Sequence, residues 1–238
     1  MKRISIVIWG MMTIFSLVFL SQECVAGVAI EQVVKDMEGG ASTVFLYFSE
    51  NQFRTDHPEG GLTTIIDFKN DRIVMIDHRS KSYAETKFSQ WEKEVAKGLR
   101  EGTSVVKSKA RKILIRKTGE TAIINGFRTD KIQILADGEL IEENWVTRDV
   151  DMEEIGKVMD RIAQGFSKEF RSEMKEGREI YEKLRSYGFP ILIKDYTIAY
   201  GLGMDVLEVK KLEKKELKEE VFLPPIGYER IITEHPKK

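Results

Sequence analysis

The side chains that could carry out acid–base or metal chemistry are few in this 238-residue sequence and lie far apart along it. Its three histidines, His57, His78 and His235, have no carboxylate or second histidine at the spacing of a metal site. The run Asp77–Ser80 combines an acid, an imidazole, a guanidinium and a hydroxyl, but it falls between two predicted strands and is typical of a solvated hairpin turn. The sequence therefore predicts no catalytic residue, no metal ligand and no cofactor, and we expect no enzyme activity.

A second group of residues has the chemistry to bind an apolar ligand. Its members are large side chains, several of them adaptable, of the kind that line lipid cavities. The same residue types also fill ordinary hydrophobic cores, so a core role is the competing interpretation. The six candidate ligand-binding residues are Trp91, Trp145, Met159, Phe166, Phe170 and Tyr196.

Strands joined by short turns are the main elements that would position these residues. Runs rich in β-branched and aromatic side chains alternate with polar turn residues, and Asn125-Gly126 and Asp137-Gly138 accept the positive φ angles of tight hairpins. Thr118-Gly119 is predicted as a further turn. Strands are therefore predicted at 43–48, 52–56, 62–68, 72–76, 82–85, 112–117, 120–124, 127–135, 139–147, 191–200 and 204–211.

Apolar residues at spacings of three and four predict helices among these strands. The first covers 27–37, the second covers 88–99 with Ser89 and Glu92 as a capping box, and the longest covers 151–187. Strands such as 73–76 are apolar on both faces, so an element must cover each face. The predicted fold is α+β: a curved antiparallel sheet with helices on its concave face.

The N-terminus has the three-part form of a secretory signal. Lys2 and Arg3 give a positive start, Ile4–Leu20 is almost wholly apolar, and Cys24–Ala26 supplies small residues before Gly27. We therefore expect a signal peptide at 1–26 and a single domain at 27–238, located in the periplasm or otherwise secreted. The alternative is an uncleaved N-terminal membrane anchor, whereas Glu23 before Cys24 disfavours a lipoprotein signal.

The mature chain is expected to begin at Gly27, because Ala26 and Cys24 occupy the small-residue positions of the cleavage site. Mass spectrometry of the protein purified from a secreting host checks this expectation. A retained hydrophobic segment, or a lipid attached to Cys24, would contradict it.

The charge balance excludes one class of partner. The chain carries 38 Lys and Arg against 39 Asp and Glu, a formal net charge of −1, whereas proteins that bind nucleic acids carry a basic excess. The charged run 210–216 mixes both signs and is typical of a solvated strand end and turn. We therefore expect no nucleic-acid partner and, at most, peripheral contact with a membrane.

Short segments spread over nearly the whole chain carry a resemblance to a known family. They are IEQVV, NQFRTD, DRIVMIDHRSKSYAE, INGFRTDKIQI, NWVTRDV, GFPIL and FLPPIGYE. Together they resemble an uncharacterised family of secreted bacterial proteins in the LolA-like superfamily, the group of periplasmic lipoprotein carriers. The resemblance implies an unclosed antiparallel half-barrel, in which an apolar cavity between sheet and helices holds acyl chains.

Two classes of function follow. In the first, a periplasmic or envelope protein binds or carries an apolar or amphiphilic ligand, a lipid or the acyl chain of a lipoprotein, between sheet and helices. In the second, a non-enzymatic module with a filled core binds an envelope protein and no small ligand. An open apolar pocket would favour the first class, and a filled interior would favour the second.

Overall fold

A computed structural model describes residues 24–36, 38–102, 111–150, 153–167, 175–197 and 203–231. The strands among them are β1 Cys24–Lys35, β2 Ala41–Ser49, β3 Gln52–His57, β4 Leu62–Asp67, β5 Arg72–Asp77, β6 Ser82–Lys87, β7 Ile113–Ile124, β8 Phe127–Ala136, β9 Glu139–Thr147, β10 Phe189–Asp195, β11 Met204–Lys218 and β12 Glu229–Ile231. The helices are α1 Phe88–Gly102, α2 Glu153–Ser167 and α3 Lys175–Leu184, with a short 3₁₀ helix at Glu219–Phe222.

The strands form one unclosed sheet in the order β12-β6-β5-β4-β3-β2-β1-β11-β10-β9-β8-β7. Neighbours are antiparallel except for β12, which runs parallel to β6. Helix α1 packs on β5 and β6, α2 packs on β1 and β2, and α3 packs on β7. The predicted α+β fold, an open curved antiparallel sheet with helices on its concave face, is confirmed.

The turns with Asn-Gly and Asp-Gly are confirmed by their backbone angles. Asn125 and Gly126 have φ of 49° and 87°, and Asp137 and Gly138 have φ of 51° and 92°. Consecutive left-handed residues of this kind match the right-handed twist of the flanking strands. The two turns therefore fix the meander from β7 to β9.

The helix predicted at 27–37 is wrong, because these residues belong mainly to strand β1. The strand lies between β2 and β11 and buries Val28 and Ile30 completely or nearly so. Its apolar residues coincide with a helical spacing, but most of them are β-branched and fit a strand in the middle of a sheet. The first residues of β1, Cys24–Ala26, pair with the end of β11.

The turn predicted at Thr118-Gly119 is wrong as well. Residues 113–124 form one continuous strand, β7, with a shift of register between Lys117 and Thr121. Gly119 has a φ of 87° there, and the Thr118 hydroxyl donates to the Lys131 carbonyl oxygen at 3.2 Å. The glycine therefore marks a β-bulge in an edge strand.

Helix α1 is confirmed, but its predicted capping box is not formed. The Asp71 carboxylate, from the β4–β5 turn, accepts hydrogen bonds from the backbone N–H and the hydroxyl of Ser89, both at 2.8 Å. The backbone hydrogen bond is the main reason why the pKa of Asp71 is lowered. Glu92 is instead half-buried, and burial raises its pKa. A residue distant in sequence thus caps the helix.

Both faces of β5 are covered, as its sequence predicts, but by different kinds of element. Ile73 packs on one face with Phe88 of α1. Val74 and Ile76 pack on the other face with Phe222, which has no exposed surface. In the described part of the chain, the C-terminal segment 219–231, here called the strap, covers this outer face in place of the helix that the sequence analysis expected.

Polar contacts hold the strap on the sheet. The guanidinium of Arg54 donates to the Val221 carbonyl oxygen at 2.6 Å, and its Nε donates to Asp56 at 2.8 Å. Nδ1 of His78 lies 3.0 Å from the Tyr228 hydroxyl. The strap ends as β12, which adds to the edge of the sheet at β6.

No helix in the described ranges is both long and apolar enough to cross a membrane. The apolar run of the predicted signal, residues 4–20, lies outside those ranges. Helices α2 and α3 both fall within the helix predicted at 151–187, and residues 168–174 between them are also outside the described part.

Candidate ligand-binding site

An apolar pocket lies between α2, α3 and the concave side of the sheet. Its volume is about 280 Å³. Small-molecule sites have volumes of about 300–1,000 Å³, so this pocket suits a slim ligand. The lining residues are Ile30, Gln32, Leu46, Phe48, Ile155, Met159, Tyr181, Leu184, Arg185, Gly188, Phe189, Pro190 and Leu207.

Two residues of the apolar stripe of α2, Ile155 and Met159, form one wall of the pocket. Ile155, Val158, Met159 and Ile162 recur at spacings of three and four and pack against the core formed by β1, β2 and β10. Ile155 and Val158 are buried, whereas Met159 is half-buried and borders the open space. The same periodicity that predicts the helix therefore supplies the pocket wall.

The turn from α3 into β10 forms the opposite wall. Gly188 has a φ of 140°, a conformation in which other residues are strained. A Cβ atom at this position would lie 2.2 Å from the Thr147 carbonyl oxygen, so the close approach of the chain to β9 requires glycine. This approach directs Phe189 and Pro190 into the pocket lining.

Polar groups from α2, α3 and the residue that follows α3 lie at one side of this apolar space. Nη1 of Arg185 donates to both carboxylate oxygens of Asp160, at 3.0 and 3.1 Å, and this hydrogen bonding raises the pKa of Arg185. The guanidinium also lies 5.9 Å from the centre of the Tyr181 ring. A Cβ atom at Gly156 would come within 3.1 Å of Nη2, so the glycine leaves room for the arginine.

The Tyr181 hydroxyl is buried and has no hydrogen-bond partner in the described structure. Burial is also the main reason why its pKa is raised. Buried hydroxyls in proteins are nearly always hydrogen-bonded, so an unpartnered hydroxyl next to the pocket is unusual. The pocket thus has an apolar body, with Tyr181 and the Arg185 guanidinium at one side.

The structure separates the six residues that the sequence analysis selected. Met159 lines the pocket. Trp91 packs elsewhere, in the cluster beneath α1, where its ring stacks on Phe88 with centroids 5.9 Å apart. Phe166 belongs to α2, but its side chain lies outside the described structure, and so does the whole of Phe170.

Trp145 and Tyr196 lie on the face of the sheet opposite to the helices. Ile132 of β8 packs with α3, so its neighbour Lys131 points the other way, and Trp145 is the register partner of Lys131. Lys131 Nζ lies 5.6 Å from the centre of the half-buried indole ring and 3.0 Å from Glu143. The Tyr196 hydroxyl donates to Glu143 at 2.6 Å, and this hydrogen bond raises the pKa of Tyr196 to about 12.

The residues with acid–base potential serve a turn and the strap. Asp77 accepts hydrogen bonds from the backbone N–H groups of Arg79, at 2.8 Å, and Ser80, at 3.2 Å, which lower its pKa. Nε2 of His78 lies 2.9 Å from the Thr63 hydroxyl, which donates in turn to Asp56. In the residues that the structure describes, no group of three or more His, Cys, Asp and Glu side chains could hold a metal ion.

Several pocket residues are not predictable from the sequence. Leu46 and Phe48 read as ordinary strand residues, and Tyr181 and Arg185 read as part of a long helix. Their roles depend on strand and helix packing over long sequence separations. The one local signal was Gly188-Phe189-Pro190, a combination that marks an element boundary with unusual backbone geometry.

The fold and the pocket together define a protein with an unclosed antiparallel sheet, helices on one face and an apolar pocket between them. The chain belongs to the family described as "Domain of unknown function (DUF4412)", whose model matches residues 30–228. A comparison with curated proteins found no match.

Solved structures of similar chain path have low sequence identity to this protein. An uncharacterized conserved protein from Thermus thermophilus is 9% identical, with 86% of this chain and 89% of that chain covered and a TM-score of 0.46. The MucA/MucB complex of Pseudomonas aeruginosa is 9% identical, with 87% of this chain and 58% of that chain covered and a TM-score of 0.45. PNGF-II is 12% identical, with 86% of this chain and 30% of that chain covered and a TM-score of 0.35. This chain thus spans under two thirds of the last two matched chains.

Proposed function

We propose that the protein binds one slim apolar or amphiphilic ligand, such as the acyl chain of a lipid or lipoprotein, in the pocket between α2, α3 and the sheet. The open apolar pocket is the observation that carries this proposal. In this proposal the protein acts by holding the ligand and not by chemical catalysis.

The pocket lining suits both ends of such a ligand. Each methylene group transferred from water to an apolar site contributes about 0.8 kcal/mol, and Leu46, Phe48 and Leu207 provide apolar surface for it. At the polar side, a carboxylate or ester oxygen would accept a hydrogen bond from Tyr181. Arg185 has five N–H donors, so pairing with Asp160 leaves others for the same oxygen atoms.

The proposed location is the cell envelope. The secretory form of residues 1–26 supports it, since a cleaved signal would deliver the remaining chain to the periplasm or beyond. A carrier of acyl chains is useful there, because such chains are insoluble in the aqueous space between membranes.

Filling the pocket is expected to weaken ligand binding. Met159→Trp would place a larger side chain in the open space, so the affinity for a fluorescent fatty acid should fall at least about tenfold, or 1.4 kcal/mol. Titration of the delipidated protein, followed by fluorescence, measures this change. Ile162→Trp is the matched control, because Ile162 lies on the same helix but does not line the pocket.

Tyr181→Phe tests the polar end separately. Removing the hydroxyl should weaken binding of the fatty acid while leaving the thermal unfolding midpoint unchanged or raised, because an unsatisfied buried group is removed. If the wild-type protein shows no saturable binding, or if Met159→Trp and Ile162→Trp bind equally well, the proposed function is wrong.

A further inference from the structure

Strand β7 leaves a long edge of the sheet open in the described part of the chain. The opposite edge, at β6, is covered by β12, whereas β7 stands last in the strand order. The strand has 12 residues, but the bulge at Gly119 interrupts it, so 113–117 is the regular part of the edge to which a further strand can add. In the described structure, the edge at β6 is therefore covered by another strand and the edge at β7 is not.

A shallow groove of mixed apolar and polar character runs beside the first part of this edge. Its volume is about 280 Å³, and its walls are Ile113, Leu114 and Ile115 of β7 with Lys183, Ser186 and Tyr187 from α3 and the turn after it. Leu114 is 54% exposed. The groove offers a place for the side chains of an added strand.

The backbone of β7 has hydrogen-bonding groups directed to the open side. Lys183 Nζ donates to the Ile113 carbonyl oxygen at 3.0 Å, whereas the Lys112 carbonyl oxygen accepts from Asp137 N in the β8–β9 turn. Successive residues of a strand alternate in this way. Ile115, two residues beyond Ile113, therefore directs its N–H and C=O away from β8.

Basic residues flank the apolar part of the edge on both sides. The sequence from 111 to 117 reads RKILIRK. Arg111 pairs with Glu176, and Lys117 pairs with Asp130 at 2.8 Å. Arg116 bonds only the neutral amide oxygen of Gln133, at 3.2 Å from Nε, so Lys112 and Arg116 are the flanking cations on which the charge argument rests. An antiparallel pair of two such edges centred on Leu114 would place basic residues opposite basic residues, which is unfavourable. The charges thus disfavour a second copy and favour an acidic partner.

We propose that β7 binds an extended peptide segment of a partner protein as an added strand. The segment would carry apolar residues at alternate positions, for the groove, and Asp or Glu at both ends, for the basic flanks. Backbone hydrogen bonds would supply affinity, and the groove and charges would supply specificity. This surface is separate from the acyl pocket, so the two proposals can fail independently.

The test uses the full mature protein and a fluorescently labelled peptide, Glu-Asp-Val-Thr-Val-Thr-Val-Asp-Glu, with its Lys-for-acid counterpart as the control peptide. Fluorescence anisotropy should show saturable binding of the acidic peptide, weakened at least tenfold by high salt, and at least tenfold weaker binding of the basic one. Hydrogen exchange should slow at Ile115 when the acidic peptide is bound.

Two variants separate edge pairing from general charge attraction. Ile115→Pro removes the outward donor, and Arg116→Glu reverses one flanking charge, so each should reduce affinity at least tenfold. Lys93→Glu, an equal charge change at an exposed residue of α1, is the control and should change affinity less than twofold. A thermal unfolding midpoint close to wild type shows that Arg116→Glu remains folded.

Three results would overturn the proposal. They are equal binding of both peptides, unchanged affinity in Ile115→Pro and Arg116→Glu, or no saturable binding of the acidic peptide. In each case the basic residues serve only to protect the edge from association. Binding of a fatty acid is measured separately and does not bear on these outcomes.

Discussion

Phe222→Ala is expected to lower the free energy of unfolding by about 3–5 kcal/mol, the range for a large aromatic side chain lost from a core. Phe222 has no exposed surface and packs with Ile65, Val74, Ile76 and Leu217 on the outer face of the sheet. Chemical denaturation followed by circular dichroism measures the change.

The neighbouring residue provides a matched control. Leu223 is 41% exposed, so Leu223→Ala should change the free energy of unfolding by less than about 1 kcal/mol. A loss below about 1 kcal/mol in Phe222→Ala itself would contradict the structure, because the strap would then contribute little to covering β4 and β5.

The large expected effect follows from the way in which strap and sheet depend on each other. Without Phe222, the buried face of Val74 and Ile76 would border a cavity, since their own strand cannot rearrange within the ladder. Arg54 and His78 hold the strap at two points, so its main chain would not collapse readily into the space.

The sequence predicted the sheet well because its signals are local. Asn125-Gly126 and Asp137-Gly138 set hairpins through their own backbone preferences, and the strands between turns follow alternation of a few residues. The error at 27–37 has a local cause too: Ile30, Val33 and Val34 satisfy a helical spacing and a two-faced strand equally well. These residues form a strand because they are buried between β2 and β11.

The candidate site was less predictable because it is built from distant parts of the chain. The strap shows the same difficulty: the apolar runs of β4 and β5 predict that both faces of these strands are buried, but no local signal indicates that Phe222 buries one of them. In the same way, Met159 was identifiable as a large adaptable residue, but the partners that leave a space beside it, Leu46 and Tyr181, are set by tertiary packing. The periodicity of apolar residues predicts which face of a helix is buried, but it does not predict which residues pack against that face.

Gly188→Ala is expected to destabilise the protein by at least about 4 kcal/mol. The φ of 140° costs a non-glycine residue about 1–3 kcal/mol. In addition, the new Cβ would lie 2.2 Å from the Thr147 carbonyl oxygen and 2.8 Å from its carbon, and these are backbone atoms of a buried strand residue. Relief requires β10 to move from β9, which would break the pairing of Phe189 with Thr147.

Chemical denaturation of Gly188→Ala beside Gly177→Ala isolates this effect. Gly177 lies in α3, where an added Cβ meets no atom within 4 Å, so alanine there should stabilise the protein by about 0.5–1 kcal/mol. The two variants make the same chemical change about ten residues apart and should shift stability in opposite directions.

Because Gly188 also lines the pocket, its alanine variant should lose fatty-acid binding even under conditions where it remains folded. Wild-type stability in Gly188→Ala would mean that the turn into β10, and with it this pocket wall, differs from the geometry described.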